Sequence, residues 1–449
     1  MNRISCFILF LPILLSTVAV QMVKAQKKSI SSKASSVADK LIALKATGTA
    51  RYTDKEILAA SGLQMGQSAA DGDFKEAVKK LGASGVFSEV VYSFISSNAG
   101  VKLELQLADT EKSKLVPAQL ENFVWFTDDE LRSALQTRVP LFKQLLPLGG
   151  NLSDRVSEAL QSILTDKHFP GRVTFLREAD ESSGALTAIV YRVEEVSIRI
   201  RAVEFPGSSP EQAALLTTAA HRLTGAEYGR AALAATAKLD LLPVYLQRGY
   251  LKSAFGTSDA RVVPEPAAAR DAQDPAEFQV DAIIPVTPGK LYSTSGVQWK
   301  GNSAVTTAEI APLLHLPVGQ PADAVHFLRD LENVAKLYRS RGYMVVQIKP
   351  EAQFDDEKST VNYDIQVVEG DLYKMGELDI LGLDTDSKAR MLAAWSLREG
   401  QPYNADYPDK FRNDTLQLLP RGLSWGATIH ATPDAKDKTV DVEIRFRQQ

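Results

Sequence analysis

Four tetrads at domain spacing constrain this chain more than any other feature: Thr53-Asp54-Lys55-Glu56, Thr127-Asp128-Asp129-Glu130, Ser208-Ser209-Pro210-Glu211 and Thr306-Thr307-Ala308-Glu309. Each sets a hydroxyl three residues before a Glu, the capping box that opens an α-helix. The hydroxyl accepts from the N3 backbone N–H and the carboxylate accepts from the cap's own N–H, so two donors that a helix end leaves free are satisfied. A further start, Asp384-Thr385-Asp386-Ser387, keeps capping residues without the Glu. One tetrad says little about a fold, but its recurrence predicts an internal repeat.

A second mark follows each start: Gly85-Val86-Phe87, His168-Phe169, Gly249-Tyr250, Gly342-Tyr343 and Gly422-Leu423. From Phe87 the steps along this series are 82, 81, 93 and 80 residues. A glycine that ends a helix reaches positive φ without penalty, and the aromatic after it is expected to enter a strand and pack under the helices. Gly66-Gln67, Gly225-Ala226, Gly319-Gln320 and Gly400-Gln401 predict turns between paired helices. Phe74, Val78 and Leu81, then Val156, Leu160 and Ile163, then Leu328, Leu331, Ala335 and Tyr338 give the second helix an apolar face. Val101 to Leu107, Val361 to Val367 and Val440 to Phe446 alternate apolar and polar residues, which makes strands with one buried face.

The predicted unit is strand, helix, helix, strand, strand: an α+β module with two helices over one face of a small sheet. Five copies are expected, at 41–110, 111–195, 196–290, 291–370 and 371–449, with a Pro-, Ala- and Asp-rich loop insertion at 256–277 in the third. Ahead of them, Arg3, the apolar run from Ile4 to Val20 and Val23-Lys24-Ala25 read as a signal peptide over 1–25, followed by a flexible lead-in at 26–40. Secretion to the periplasm is the expected destination, with removal of the signal leaving a chain without cysteine, since Cys6 is the only one. A disulfide within the chain and a thiolate metal site are thereby excluded. With 51 Lys and Arg against 55 Asp and Glu there is no general attraction for nucleic acid or anionic lipid.

No catalytic, cofactor or metal site is expected. The histidines, His168, His221, His315, His326 and His430, include no pair at the three- or four-residue spacing that sets two ligands on one helix face. Adjacent acids such as Asp128-Asp129 and Asp355-Asp356 fall at a helix start and in a loop, where capping and solvation account for them. Phe87, Phe169, Tyr250 and Tyr343 hold equivalent places in successive units and read as core anchors.

Trp299-Lys300-Gly301-Asn302 opening a unit, Leu316-Pro317-Val318-Gly319-Gln320 between its helices and Leu337-Tyr338-Arg339-Ser340-Arg341-Gly342-Tyr343 closing the second helix make the fourth unit resemble the POTRA domain. Gly85 and Phe87 in the first unit, Gly249 and Tyr250 in the third, and Gly382, Gly400 and Gly422 in the fifth continue the signature. The whole resembles the periplasmic POTRA array of Omp85/BamA-type outer-membrane assembly factors, without the barrel, which is expected to be a separate chain. The resemblance implies a non-enzymatic scaffold for unfolded outer-membrane or secreted polypeptides, reaching the membrane only through a partner. It also implies that the strand after the Gly-aromatic mark is a sheet edge, able to pair with an extended peptide. Here that maps to Val90–Phe94, Val173–Leu176, Lys252–Phe255, Val345–Lys349 and Ala427–Ala431. Val345, Val346, Gln347, Ile348 and Lys349, in the best-preserved unit, are the preferred client site. An envelope structural or division-complex protein held by an uncleaved N-terminal anchor is the other reading left open.

Overall fold

The computed structural model describes residues 39–264, 276–415, 417, 419 and 424–448. The signal peptide, nearly all of the lead-in, the middle of the insertion and Gly422 lie outside the described residues. The fold is α+β, built from several small sheets with helices packed on them. The described chain falls into two compact units, one within Met1–Arg199, Glu227–Ala231 and Asp259–Val280, the other within Ile200–Ala226, Ala232–Ser258 and Asp281–Gln449.

The first stretch runs β1 (Asp39–Thr47), α1 (Asp54–Ser61), β2 (Ser68–Ala69), α2 (Asp71–Ala83), β3 (Phe87–Ser97) and β4 (Gly100–Asp109), in a sheet ordered β2-β1-β4-β3. Strand β1 runs parallel to β4, and β3 returns antiparallel to it. Ile57, Phe74, Val78 and Leu81 from the helices meet Val101, Leu103, Leu105 and Leu107 in one core. Burial of each such side chain contributes about 1.5–3 kcal/mol. The second stretch repeats the order as β5 (Leu115–Leu120), α3 (Asp128–Arg138), β6 (Leu145–Pro147), α4 (Leu152–Asp166), β7 (Arg172–Ala179) and β8 (Leu186–Glu194), with sheet order β6-β5-β8-β7.

The third stretch departs from the expected loop. It contains β9 (Val196–Glu204), α5 (Pro210–Ala219), α6 (Arg230–Thr236), α7 (Leu242–Leu246), β10 (Ala254–Phe255), β11 (Asp259–Val263), β12 (Ala276–Ile283) and β13 (Val286–Thr287). Both flanks of the predicted insertion are thus strands, and β11 is the outer member of a β11-β12-β9 sheet. Lys252–Phe255 does not supply that edge, because β10 pairs with β13 instead. The alternation Asp259-Ala260-Arg261-Val262 and the β-branched pair Val262-Val263 supplied a strand signal that the neighbouring prolines obscured.

The fourth stretch has β14 (Ser293–Lys300), α8 (Thr307–Ile310), α9 (Ala324–Ser340), β15 (Gln347–Asp355) and β16 (Thr360–Val368), with sheet order β14-β16-β15. The last has β17 (Lys374–Leu381), α10 (Thr385–Ala394), α11 (Tyr407–Thr415), β18 (Trp425–Asp434) and β19 (Thr439–Gln448), with sheet order β17-β19-β18. Capping boxes form at Thr53, Thr127 and Thr306. The remaining box sits one residue later than read, with Ser209 as cap and Gln212 at N3, because Pro210 takes the first helical position. On α9 the buried face is Phe327, Leu331, Val334 and Tyr338, while Leu328 is 57% exposed. Phe87 begins its strand, but Phe169, Tyr250 and Tyr343 precede theirs and are half-buried. No helix among the described residues is long and apolar enough to cross a membrane.

Candidate functional site

One edge of these sheets is paired at the start of its strand by the turn between the helices. Gly66 donates its N–H to Leu41 O (2.7 Å), Gly225 to Ile200 O (2.7 Å), Gly319 to Thr294 O (2.8 Å) and Gly400 to Met375 O (2.8 Å). The same strand residues donate back, to Gln67, Ala226, Gln320 and Gln401. All four glycines have φ near +80° with no atom near a would-be Cβ, so it is the dihedral that asks for glycine. In the second stretch Gln144, at φ 63°, takes this place and accepts from Ala118 N–H.

The opposite edges are β3, β7, β15 and β18. Which backbone groups point outward from β15 follows from its neighbours. A Cβ on Gly301 would lie 2.3 Å from Val367 O, so that carbonyl points toward β14. Ile348, opposite Val367 in the antiparallel register, therefore belongs to a pair without cross-strand hydrogen bonds, and its N–H and C=O face away from the sheet. By alternation Pro350, Ala352 and Phe354 face the same way. Pro350 agrees with this, since proline within a sheet is tolerated where the missing N–H would point to solvent. The same reasoning from Phe446 O, 2.0 Å from a Cβ on Gly382, turns Ala427, Ile429, Ala431 and Pro433 outward on β18. From Leu107 O, 2.1 Å from a Cβ on Gly48, it turns Val90, Tyr92, Phe94 and Ser96 outward on β3. On β7 the first outward donor is taken: Val173 donates its N–H to Gln161 Oε1 at 2.8 Å.

Of the preferred site, Gln347, Ile348 and Lys349 are in β15, but Val345 and Val346 are not. Gly342, at φ 95°, starts a turn in which Met344 donates its N–H to Gly342 O and Val346 to Tyr343 O, so the strand begins two residues later than read. That glycine has a second task. Gly342 O accepts from Tyr373 N–H at 2.8 Å, and Gly249 O from Tyr292 N–H at 2.8 Å, so each mark is tied to the start of the next repeat. A Cβ at either glycine would stand 2.7 Å from the carbonyl oxygen of that tyrosine, and one at Gly85 2.0 Å from Gly149 O. Tyr292 and Tyr373 were missed by sequence reasoning, although each stands 30 residues before its own Ala322 or Tyr403 partner, which donates its N–H to the tyrosine oxygen. Asn302 braces its loop by donating to Val305 O.

The tip of the β15–β16 hairpin is held electrostatically. Lys252 Nζ and Tyr292 OH both donate to Asp356 Oδ1 at 2.6 Å, and Lys290 Nζ donates to Asp356 O at 2.8 Å. The Lys252 hydrogen bond, then that from Tyr292, holds the Asp356 carboxyl below its usual range. Glu309, which caps α8, is lowered to about 2 by its Arg341 hydrogen bond and then by Thr306. These shifts belong to caps and ion pairs. Among the histidines, His168 has φ 58° and makes the turn that glycine makes elsewhere, while His315 and His326 meet at Asp330.

Comparison with known proteins matches residues 292–370 to the POTRA family, described as a surface antigen variable number repeat. A protein of Treponema pallidum (strain Nichols), named as an outer membrane protein assembly factor, is 24% identical over 235 residues, which cover 52% of this chain and 27% of that protein. The chain thus spans about a quarter of that relative's length. Among solved structures, POTRA3-5 of Haemophilus influenzae BamA aligns at 17% identity and TM-score 0.41, over 56% of this chain and 95% of that one. POTRA1-3 of Omp85 from Anabaena aligns at 14% identity and TM-score 0.25, over 56% and 95%. The family match falls on the unit that carries Trp299 to Asn302 and Gly342-Tyr343, so residues 292–370 are similar to a POTRA domain.

Proposed function

We propose that the chain is a non-enzymatic periplasmic scaffold of five POTRA-like modules, divided near residues 110, 195, 290 and 370 and delivered by the signal peptide. It engages unfolded or extended polypeptide by β-augmentation, in outer-membrane protein assembly or in docking to a separate barrel. The observation that carries this is the asymmetry of the sheets: the interhelical turn pairs with the start of one edge strand, and the opposite edge presents outward-facing backbone. Main-chain pairing on such an edge gives affinity with little dependence on client sequence. The name borne by the Treponema relative agrees with that setting.

The proposed client strand is β15, now Gln347–Asp355, with outward donors at Ile348, Ala352 and Phe354 and a gap at Pro350. A second placement, on β3, is favoured by its run of Val90, Tyr92, Phe94 and Ser96 without a proline. Amide exchange of the full chain with and without an unfolded barrel-strand peptide separates the two. Slowed exchange at Ile348, Ala352 and Phe354 is expected. Protection confined to β3 would move the site there, and no protection on any outer strand would remove β-augmentation from the account.

A further inference from the structure

Asp330 is a buried carboxylate whose side-chain partners are both imidazoles. Its side chain is 2% exposed, and among the described residues its polar partners are His315 and His326. Buried carboxylates ordinarily pair with a fixed cation, because removing the charge from water is otherwise costly. An imidazole is a cation only when protonated. The arrangement around Asp330 is also compact: His315 Nδ1 lies 3.3 Å and His326 Nε2 3.6 Å from Asp330 Oδ1. One ligand atom from each of the three residues falls within 4.8 Å of the others.

We propose that His315, His326 and Asp330 form a zinc site. Metal–ligand bonds of about 2.0–2.1 Å in a tetrahedron set ligand atoms about 3.3 Å apart, close to these separations. His326 and Asp330 stand one turn apart on α9, and His315 comes from the segment between the two helices. The other carboxylate oxygen is already fixed, since Asp330 Oδ2 accepts from His315 N–H at 2.7 Å, as the outer-shell bond of an oriented ligand should be. Two nitrogens and one oxygen select a borderline transition ion over magnesium or calcium. With side-chain exposures of 64% and 42%, the histidines leave an entry path and a fourth position for water or a partner's side chain. The ion pins the interhelical segment to α9, within the stretch that matches the family. Neither imidazole–imidazole spacing nor a ligand motif announces the site; the signal in the sequence is a His and an Asp four apart, with a loop His eleven residues upstream.

The test is calorimetric titration of the chelator-stripped full chain with Zn²⁺, alongside visible absorption with Co²⁺. One equivalent is expected, with a tetrahedral cobalt spectrum and a rise in melting temperature on adding zinc. His315→Ala and His326→Ala each lower affinity at least tenfold and lose the cobalt bands, with circular dichroism unchanged because both side chains are solvent-facing. Asp330→Asn is a weaker probe, since a buried group can fail to fold. Zinc binding that survives in the double-histidine variant is an adventitious ion only and overturns the proposal, as does wild-type protein that takes up no zinc.

Discussion

The carbonyl oxygen of Val367 stands 2.3 Å from the place a Cβ on Gly301 would occupy. This approach lets β14 leave the sheet over the end of β16, and it recurs between Gly48 and Leu107, Gly207 and Val286, and Gly382 and Phe446. Gly319 has the same φ of 82° with open space around it. Gly301→Ala and Gly319→Ala therefore share a dihedral penalty of about 1 kcal/mol and differ in the clash, which adds at least ~1 kcal/mol for Gly301→Ala. Urea denaturation reads the difference, and equal midpoints would show that the close approach is not tight.

Gly342 joins neighbouring repeats through its hydrogen bond from Tyr373. Gly342→Ala should loosen that joint while leaving the cores formed. Limited proteolysis should cut the variant between Glu369 and Leu372 several times faster than the parent, with little change at other sites. Unchanged cleavage would mean that Tyr373 is held by its ring contacts and not by this bond.

Acid should weaken the fourth stretch through Glu309. Its carboxyl is lowered from 4.5 to about 2, so the stability it contributes is complete above the unfolded value and is lost as pH falls from about 4.5 toward 2. Glu309→Gln keeps a capping acceptor and removes the charge. The melting temperature of the variant should fall less steeply across that window, and parallel curves would place the acid sensitivity elsewhere, with Asp356 the next acid to replace.

Much of this architecture was readable. Helix starts at Thr53, Thr127, Thr306 and Asp384, and the alternating strands ending in Val367 and Phe446, follow from local rules that depend on a few consecutive residues. What escaped the sequence depends on contacts between distant residues. Gly85, Gly249 and Gly342 follow the ends of helices, as read, but the crowding of Gly249 against Tyr292 and of Gly342 against Tyr373 is set by the stretch that follows. Leu328 and Phe327 were exchanged because adjacent apolar residues on a helix give periodicity two registers, and only packing against Tyr363 selects Phe327. Asp330 was not singled out, because its burial and its meeting with two histidines depend on how α9 packs.

The central claim is that an extended client pairs with outward-facing backbone on β15, and Pro350 offers its most direct test. Peptide affinity should be measured for the parent, Pro350→Ala and Ala352→Pro, with circular dichroism alongside. Pro350→Ala supplies a missing outward donor and should tighten binding roughly two- to tenfold, the worth of one hydrogen bond of about 0.5–1.5 kcal/mol. Ala352→Pro removes such a donor without touching the β16 ladder and should weaken binding by a similar factor. Two folded variants that bind as the parent does would contradict the claim for this strand.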